Sequence, residues 1–300
     1  MMNPNPTHLT GAMIAMTLAT SAFGATGDAP ALDQMPCVRL TSELIGMKVV
    51  SQDGDNLGKI EDVVVRPAGN RSYAVLSFGG WLGMGDKFFA MPWTVLRSTV
   101  SDAKKNDSDD MLVLPLTKER LKTAPGFDQK NWPTMANPDW TKDVDAFYLG
   151  DVNPNAAQPT SSVEQSSPFT WRATQLKGTN VETPTGEKLG DIKDIAIDAN
   201  GRVSYVALSV GGFLGMGERL TAVPWDAMKF SHTGKDADEK RISLASDKKQ
   251  LENAPEFKAD AEHRAEMCDP NWIGRVYDYY TCPAYWVTAQ RVDVGRGSRN

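Results

Sequence analysis

The sequence predicts an all-β protein made of two small antiparallel β-barrels in tandem, each followed by a short helix. Three observations support this fold class: a gap-free internal repeat, many short runs of β-forming residues, and frequent turn sequences between those runs. The chain of 300 residues holds 25 Gly and 18 Pro, which favours short strands and many turns over long helices. Its hydrophobic content of 41% is ordinary for globular proteins, so each half can bury a core of its own.

The internal repeat covers most of both halves. Leu44–Trp93 aligns with Leu176–Trp225 without a gap, and LKTAPGF (121–127) later matches LENAPEF (251–257). Near the end of each half, an NPDW segment matches a DPNW segment. A repeat of this length indicates a duplicated structural unit, so the two halves are predicted to share one fold.

Within each copy, apolar and polar residues alternate with the period of two that is typical of strands. In the long strand of the first copy, Ile60, Asp62 and Val64 are predicted on one face. Val63 and Val65 are predicted on the other face. Turns are predicted at QDGDN in the first copy and at TPTGE in the second. The other predicted elements are strands at 72–78, 88–91, 111–114, 220–223 and 241–244, and helices at 117–123 and 246–253. Many short strands at this spacing are typical of a closed barrel or a sandwich.

The first 24 residues are predicted to be a signal peptide. Gly11–Ala25 reads GAMIAMTLATSAFGA, an uncharged apolar run that is too short to span a bilayer and ends in small residues. Cleavage is expected after Gly24 or one residue later, which places the mature protein in the periplasm or outside the cell. The first ten residues carry no Lys or Arg, so a cytoplasmic leader is the alternative interpretation. No other run approaches the ~20 apolar residues of a membrane helix, so no transmembrane segment is expected in the mature chain.

The composition of the rest of the chain indicates a linker between the two halves and a tail at the end. Residues 150–168 are rich in Pro, Ser, Asn and Gln, which indicates a flexible linker, and the polar end of the chain indicates a disordered tail. The predicted order is a signal peptide (1–24), a first barrel domain with a helical and aromatic extension (38–149), the linker (150–168), a second barrel domain with its extension (169–287), and the tail (288–300).

Charge and cysteine content limit the expected partners and bridges. A net charge of −6 and an isoelectric point near 5.2 argue against a broad basic surface, so nucleic acid is not an expected partner. The three cysteines, Cys37, Cys268 and Cys282, allow at most one intramolecular disulfide. Cys268–Cys282 is the predicted pair because both lie in the C-terminal segment, and three independent thiols are the alternative.

The sequence lacks the patterns typical of a metal, phosphate or nucleophile site. His8, His232 and His263 do not pair with another His or with Cys at ligand spacing, so neither a metal nor a cofactor is expected. In GGWLGMGDK an acidic residue follows the last glycine, where a phosphate-binding loop requires Lys. Asp62 and Asp194 occupy equivalent positions among apolar residues. We interpret them as acceptors of backbone N–H bonds, with the catalytic carboxylate of a hydrolase as the alternative.

Two glycine-rich apolar segments are the candidate partner-binding sites. They contain Trp81, Leu82 and Met84 in the first copy and Phe213, Leu214 and Met216 in the second. In one interpretation these side chains plug the ends of the barrels. In the other they are exposed and dock a partner or the other barrel. A further aromatic cluster between Trp272 and Trp286 is predicted to be a strap packed on the barrel, with glycan or protein binding as the alternative.

The repeated motif resembles that of the PRC-barrel family. Both copies contain L-G-x-I-x-D, then Y-x-x-L-S-x-G-G-[WF]-L-G-M-G-[DE]-[KR], then A-x-P-W. The family is named for the barrel of the photosynthetic reaction-centre H subunit and includes a domain of the ribosome-maturation factor. The resemblance covers Leu44–Leu114 and Leu176–Leu244, and it implies a small, highly bent antiparallel barrel that recognises other macromolecules without catalytic residues. The chain differs from the H subunit in lacking a membrane anchor, and from the ribosomal factor in its acidic, exported character.

The expected function is therefore that of an exported, non-catalytic binding or scaffold protein acting through protein–protein contacts of two PRC-type barrels. The sequence does not identify the protein partner. A second hypothesis, which rests on the resemblance alone, is an accessory subunit of a photosynthetic electron-transfer complex. A third is a hydrolase that uses Asp62 or Asp194.

Overall fold

The protein is mostly β, with two sheets and a few short helices. A computed structural model describes residues 37–78, 87–98, 110–134, 137–150, 170–211, 219–232, 240–258, 260, 263 and 265–286. Each sheet consists chiefly of one copy of the repeat. The predicted signal peptide, the tail and all of the linker except its first residue, Gly150, lie outside the described residues.

The two copies have matching elements in the same order. The first contains β1 Val38–Leu40, α1 Thr41–Leu44, β2 Lys48–Ser51, β3 Asn56–Val65, β4 Tyr73–Phe78, β5 Lys87–Pro92, β6 Arg97–Ser98, β7 Met111–Leu114, α2 Lys118–Lys122, β8 Gly126–Asp128 and α3 Pro138–Leu149. The second contains β9 Trp171–Arg172, α4 Ala173–Leu176, β10 Asn180–Glu182, β11 Lys188–Asp198, β12 Val203–Val210, β13 Arg219–Pro224, β14 Met228–His232, β15 Lys240–Leu244, α5 Lys248–Asn253 and α6 Pro270–Tyr279. The predicted strands and the two predicted short helices, α2 and α5, are confirmed to within a few residues.

Equivalent strands have the same neighbours in both sheets. The order is β6-β7-β2-β3-β4-β5-β8 in the first sheet and, from the equivalent edge, β14-β15-β10-β11-β12-β13 in the second, where β8 has no counterpart among the described strands. Most pairs are antiparallel, but β2 pairs with β7 in parallel, and β10 with β15. An entirely antiparallel sheet, as predicted, is wrong at these pairs because β7 and β15 return beside β2 and β10, the second strand of each copy, in the same direction. Among the described residues the second sheet is a half-barrel that runs from an edge at β13 to an edge at β14.

A β-bulge in the long strand changes the predicted arrangement of its faces. The pairing of β3 with β4 shifts in register between Ile60 and Asp62, and a matching shift occurs in β11. A bulge adds one residue to one strand, so the side chains beyond it change faces. Ile60 consequently lies in the main core together with Val63, whereas Val64 belongs to an outer cluster. The predicted grouping of Ile60 with Val64 on one face is wrong.

The first strand and helix of each copy lie on the sheet of the other copy. β1 pairs with β11 of the second copy, where Val38 lies opposite Asp198. β9 pairs with β3 of the first copy, where Trp171 lies opposite Val65. The two copies therefore exchange their N-terminal units, β1–α1 for β9–α4, and we call these two units the exchanged segments.

One main apolar core spans both copies. Its buried members include Ile60 and Trp93 from the first copy and Trp171 and Trp225 from the second. Trp93 and Trp225, which follow the repeated prolines at equivalent positions, are both buried. Each exchanged segment contributes buried side chains to the core beside the other sheet. The core of each copy therefore contains residues from both copies.

A helix of the C-terminal extension covers the outer face of each sheet. α3 packs against β5 in the first copy, and α6 packs against β13 in the second. The Trp140 ring lies 6.1 Å from that of Tyr73, and the Trp272 ring lies 5.6 Å from that of Tyr205, measured between centroids. The NPDW and DPNW segments are thus equivalent helix starts, with Asn or Asp as the cap and Pro in the first turn.

Candidate functional site

The candidate partner-binding residues lie outside the described residues. The segments concerned are 79–86, with Trp81, Leu82 and Met84, and 212–218, with Phe213, Leu214 and Met216. Their attachment points are described, since the first segment joins β4 to β5 and the second joins β12 to β13. Each apolar segment therefore connects two antiparallel neighbours at one end of a hairpin.

Aromatic and cationic side chains surround the strand ends of the first hairpin. Phe78 and Lys87 are its paired terminal residues. The Phe78 ring meets the Phe89 ring edge to face, with centroids 5.9 Å apart. The ammonium groups of Lys87 and Lys118 lie 5.1 Å and 5.8 Å from the centroids of Phe89 and Phe78, respectively. Such cation–π contacts contribute about 0.5–1 kcal/mol at exposed sites. They place two positive charges at the end of the hairpin where the apolar segment is attached.

The second hairpin is bound along its outer edge to the chain that follows α5. The Arg219 guanidinium donates a hydrogen bond to the Ala254 carbonyl at 2.6 Å. The Thr221 hydroxyl donates to the Pro255 carbonyl at 3.0 Å. These bonds fix β13, and with it one of the two strands that carry the second apolar segment.

The opposite ends of the same hairpins meet where the two copies join. The Trp225 indole N–H donates to the Pro67 carbonyl at 2.8 Å. Gly69 lies so close to this indole that a Cβ on it would come within 2.4 Å of the ring. Gly201 has the matching position against Trp93, with 2.7 Å from such a Cβ to the Cβ of Trp93. The apolar segments are attached at the far ends of these hairpins, about 20–25 Å of strand away from the junction.

Asp62 and Asp194 hold the exchanged segments in place. Asp62 accepts bonds from the N–H of Thr174 at 3.2 Å, from the Thr174 hydroxyl at 2.5 Å, and from the N–H of Val63 at 2.8 Å. Asp194 accepts a bond from the Thr41 hydroxyl at 2.8 Å and from the next N–H along α1 at 3.2 Å. The predicted role as acceptors of backbone N–H bonds is confirmed, but the donors include the first turn of a helix from the other copy.

These two carboxyl groups are poorly placed for catalysis. Asp62 is 2% exposed and Asp194 is 8% exposed. Burial raises the pKa of the Asp62 carboxyl, while its bonds to Thr174 act in the opposite direction. A carboxyl group that is buried and already hydrogen-bonded within the protein is not free to contact a substrate. The hydrolase hypothesis therefore loses the residues on which it depends.

A third buried carboxyl group, that of Asp198, connects the C-terminal strap to the sheet. It accepts a bond from the Tyr285 hydroxyl at 3.0 Å and another from the N–H of Arg202 at 2.9 Å. The Arg202 guanidinium lies 4.4 Å from the centroid of the Tyr285 ring. Burial raises the pKa of the Asp198 carboxyl, and burial together with the Asp198 charge raises that of the Tyr285 hydroxyl. Arg66 occupies the equivalent position of the first copy, so the two copies differ here.

The C-terminal aromatic cluster is a strap packed on the second sheet, as predicted. Tyr277 and Trp286 are buried, and their ring centroids lie 4.9 Å apart. The Tyr277 hydroxyl donates to the Ser204 carbonyl at 2.7 Å. In the described part of the chain, the large apolar side chains exposed by more than a third are Leu149 and Tyr279. A broad apolar patch is therefore absent from the described surface.

The disulfide joins Cys37 to Cys268 and leaves Cys282 as a free thiol. The predicted pair Cys268–Cys282 is wrong because α6 lies between these two residues. A helix of ten residues extends about 15 Å, whereas the Cα atoms of a disulfide lie within about 7 Å of each other. The exchange of β1 brings the Cα atom of Cys37 to 4.4 Å from that of Cys268 instead.

Some residues of the junction carry a sequence signal and others do not. Gly69 and Gly201 recur at equivalent positions, as do the tryptophans that they contact, so the repeat marks them as special. The threonine donors do not recur in this way, because Thr41 aligns with Ala173 and Thr174 with a serine. Only the acceptor side of these hydrogen bonds was therefore recognisable from the repeat.

Two properties concern the described ranges as a whole. None of their helices combines the length and the apolar character that crossing a bilayer would require. Within the same ranges, no three His, Cys, Asp or Glu side chains come close enough together to hold a metal ion.

Comparison with known proteins identifies the repeated unit. The model of the PRC-barrel domain matches residues 38–121 and 171–251, which together make up more than half of the chain. No curated protein matches the chain. Domains of this family are typically non-catalytic and serve as interaction or scaffold modules. The matches begin at the two exchanged segments, and the chain belongs to the PRC-barrel domain family, with two copies in tandem.

Proposed function

We propose that the protein is an exported, non-catalytic scaffold that binds protein partners through its two glycine-rich apolar segments. The observation that carries this proposal is the position of their attachment points. Both segments are attached at the ends of equivalent hairpins, away from the junction that fixes the two copies to each other. Two equivalent sites in one chain suit a partner that is itself repeated or dimeric, since two linked contacts can raise affinity by about 10²–10⁴.

The residue types in these segments and the composition of the described surface both support them as the binding sites. Trp, Phe, Leu and Met are enriched at the centres of protein interfaces, and the described surface offers few exposed large apolar side chains. Lys87 and Lys118 lie near the attachment points of the first apolar segment. Their positive charge favours a partner with acidic residues around an apolar centre.

A crosslinking and pull-down experiment tests the proposed sites. Trp81→Ala and Phe213→Ala should each lower the yield of captured partner, and the double variant should abolish capture because both contacts are lost. Leu149→Ala is the matched control, since it removes an apolar side chain that is 37% exposed elsewhere. Equal yields from the wild type and both loop variants would refute the proposed sites.

Export is supported by two features of the chain. The predicted signal peptide precedes the described residues. A disulfide connects Cys37 with Cys268, and disulfides are common in oxidising compartments and rare in the cytosol. Cell fractionation followed by mass spectrometry should find the protein outside the cytoplasm with an N-terminus near Ala25. Recovery of the intact leader from the cytoplasm would contradict export while leaving the binding proposal open to its own test.

A further inference from the structure

The disulfide attaches one exchanged segment to the outer layer of the other copy. Cys37 directly precedes β1, and Cys268 ends a 3-10 turn (Glu266–Cys268) that leads into α6. β1 comes from the first copy, whereas the turn and α6 belong to the extension of the second. The bridge is therefore a covalent connection between the two copies.

Apart from this bridge, β1 is held by its antiparallel pairing with β11 and by two buried side chains. Val38 and Leu40, each 3% exposed, lie in an apolar cluster together with Met267 of the 3-10 turn. Arg39 pairs with Asp110 at 3.0 Å, and both side chains retain contact with solvent. A partly exposed ion pair adds little to stability, so it secures the strand only weakly.

The reciprocal exchanged segment is anchored in another way. Trp171 occupies the position of β9 that corresponds to Arg39, and it is completely buried in the main core. Its ring centroid lies 4.8 Å from that of Phe230. β9 and α4 contain no cysteine. One exchanged segment thus depends on a buried tryptophan, and the other carries a bond that chemistry can reverse.

We propose that Cys37–Cys268 is a redox-sensitive clasp that keeps β1–α1 docked on the second copy and releases it when the bridge is reduced. Cys37 is exposed and Cys268 is half-buried, so a dithiol reductant can reach the bridge. Release would uncover the edge of β11 and the carboxyl group of Asp194, to which the Thr41 hydroxyl is bonded in the docked state.

The reduction is a two-step thiol–disulfide exchange. A thiolate of the dithiol attacks one sulfur of the bridge, which forms a mixed disulfide and frees one cysteine as a thiolate. The second thiol of the reductant then attacks the mixed disulfide and frees the other cysteine. The reductant ends with an internal disulfide. It has transferred two electrons and two protons to Cys37 and Cys268, which are now thiols. Cys282 takes no part, because it lies beyond the other end of α6.

Hydrogen exchange measured by mass spectrometry on the full chain tests the clasp. Reduction with dithiothreitol should accelerate amide exchange in residues 37–45 by about tenfold or more, with much less change in residues 170–177. Cys37→Ser should exchange rapidly in residues 37–45 with and without reductant. Cys282→Ser is the matched control and should respond to reduction as the wild type does.

Three results would overturn the proposal. They are unchanged protection of residues 37–45 after reduction, an equal increase in both exchanged segments, and a peptide map that pairs Cys268 with Cys282. If Cys37→Ser does not fold, the oxidised and reduced wild type provide the same comparison. Because none of these measurements involves a binding partner, their outcome is independent of the proposed function.

Discussion

Asp62→Ala is the most direct test of the exchange between the two copies. The carboxyl group of Asp62 belongs to the first copy, and two of its three hydrogen bonds come from Thr174 of the second copy. Because Asp62 is 2% exposed, water cannot easily replace the carboxyl group after its removal. The substitution should therefore weaken the attachment of α4 to the first sheet and remove the acceptor of the Val63 N–H next to the bulge.

The expected loss in the free energy of unfolding is about 2–4 kcal/mol. Leaving the buried N–H of Val63 without an acceptor costs about 1–3 kcal/mol, and losing the bonds from Thr174 adds about 1 kcal/mol because that exposed residue can turn to water. Thr174→Ala alone should cost about 1 kcal/mol. It should cost almost nothing once Asp62 is absent, which gives a coupling energy of about 1 kcal/mol between residues of different copies.

Urea denaturation, monitored by tryptophan fluorescence, measures the free energies of unfolding from which the double-mutant cycle gives the coupling energy. Thr123→Ala is the control, since the Thr123 hydroxyl is also bonded, but to the Arg120 carbonyl within its own copy. Its cycle with Asp62→Ala should give no coupling beyond about 0.3–0.5 kcal/mol. A zero coupling for Asp62 with Thr174 would refute the exchange of β9–α4 onto the first sheet.

Two further perturbations address the junction and the buried carboxyl group. Gly201→Ala should destabilise the protein by about 2–4 kcal/mol, because the new methyl group would lie 2.7 Å from Trp93 and the backbone has a φ of +79°. Gly178→Ala, at φ +83° with open space around it, should cost only about 1 kcal/mol, and equal losses in thermal unfolding would contradict the steric explanation. The pKa of Asp62 is raised above its ordinary value of 3.8, so the folded state binds this proton more tightly than the unfolded state. This contribution to stability is complete below pH 3.8 and is lost as the pH rises through the folded pKa, so Asp62→Asn should cost most at acid pH. A cost that does not decrease with rising pH would show that the pKa is not raised.

Most of the repeat unit was predictable because its strands follow local rules. Alternating residues, turn sequences and the two short helices are determined by neighbours in the chain, and the structure agrees with them in both copies. The long strand shows where local rules end. Its bulge between Ile60 and Asp62 reverses the faces beyond it, and strict alternation contains no signal for the extra residue.

The exchange of segments could not be read from the repeat. The alignment begins near Leu44, just after β1, and two equal copies give no indication of which sheet receives which first strand. The same omission explains the incorrect disulfide. Cys268 and Cys282 are close in sequence, but the partner of Cys268 depends on the position of β1 in space. Tertiary placement of a three-residue strand therefore determined the bridge.

The exchange also explains why the two copies belong in one chain. Each exchanged segment supplies a strand, a helix and buried side chains to the other sheet, so a separated copy would expose apolar positions such as Ala196 on β11, which lies opposite Leu40. Linking the copies makes their association intramolecular, which raises the effective concentration of each copy near the other. The two copies differ in their contacts. The second has the Asp198–Tyr285 strap contact and contributes Cys268 to the bridge, whereas the first has cation–π contacts at the ends of β4 and β5. Under the two proposals made above, the equivalent hairpins bind one partner, and the junction that orients them is sensitive to reduction only on the β1–α1 side.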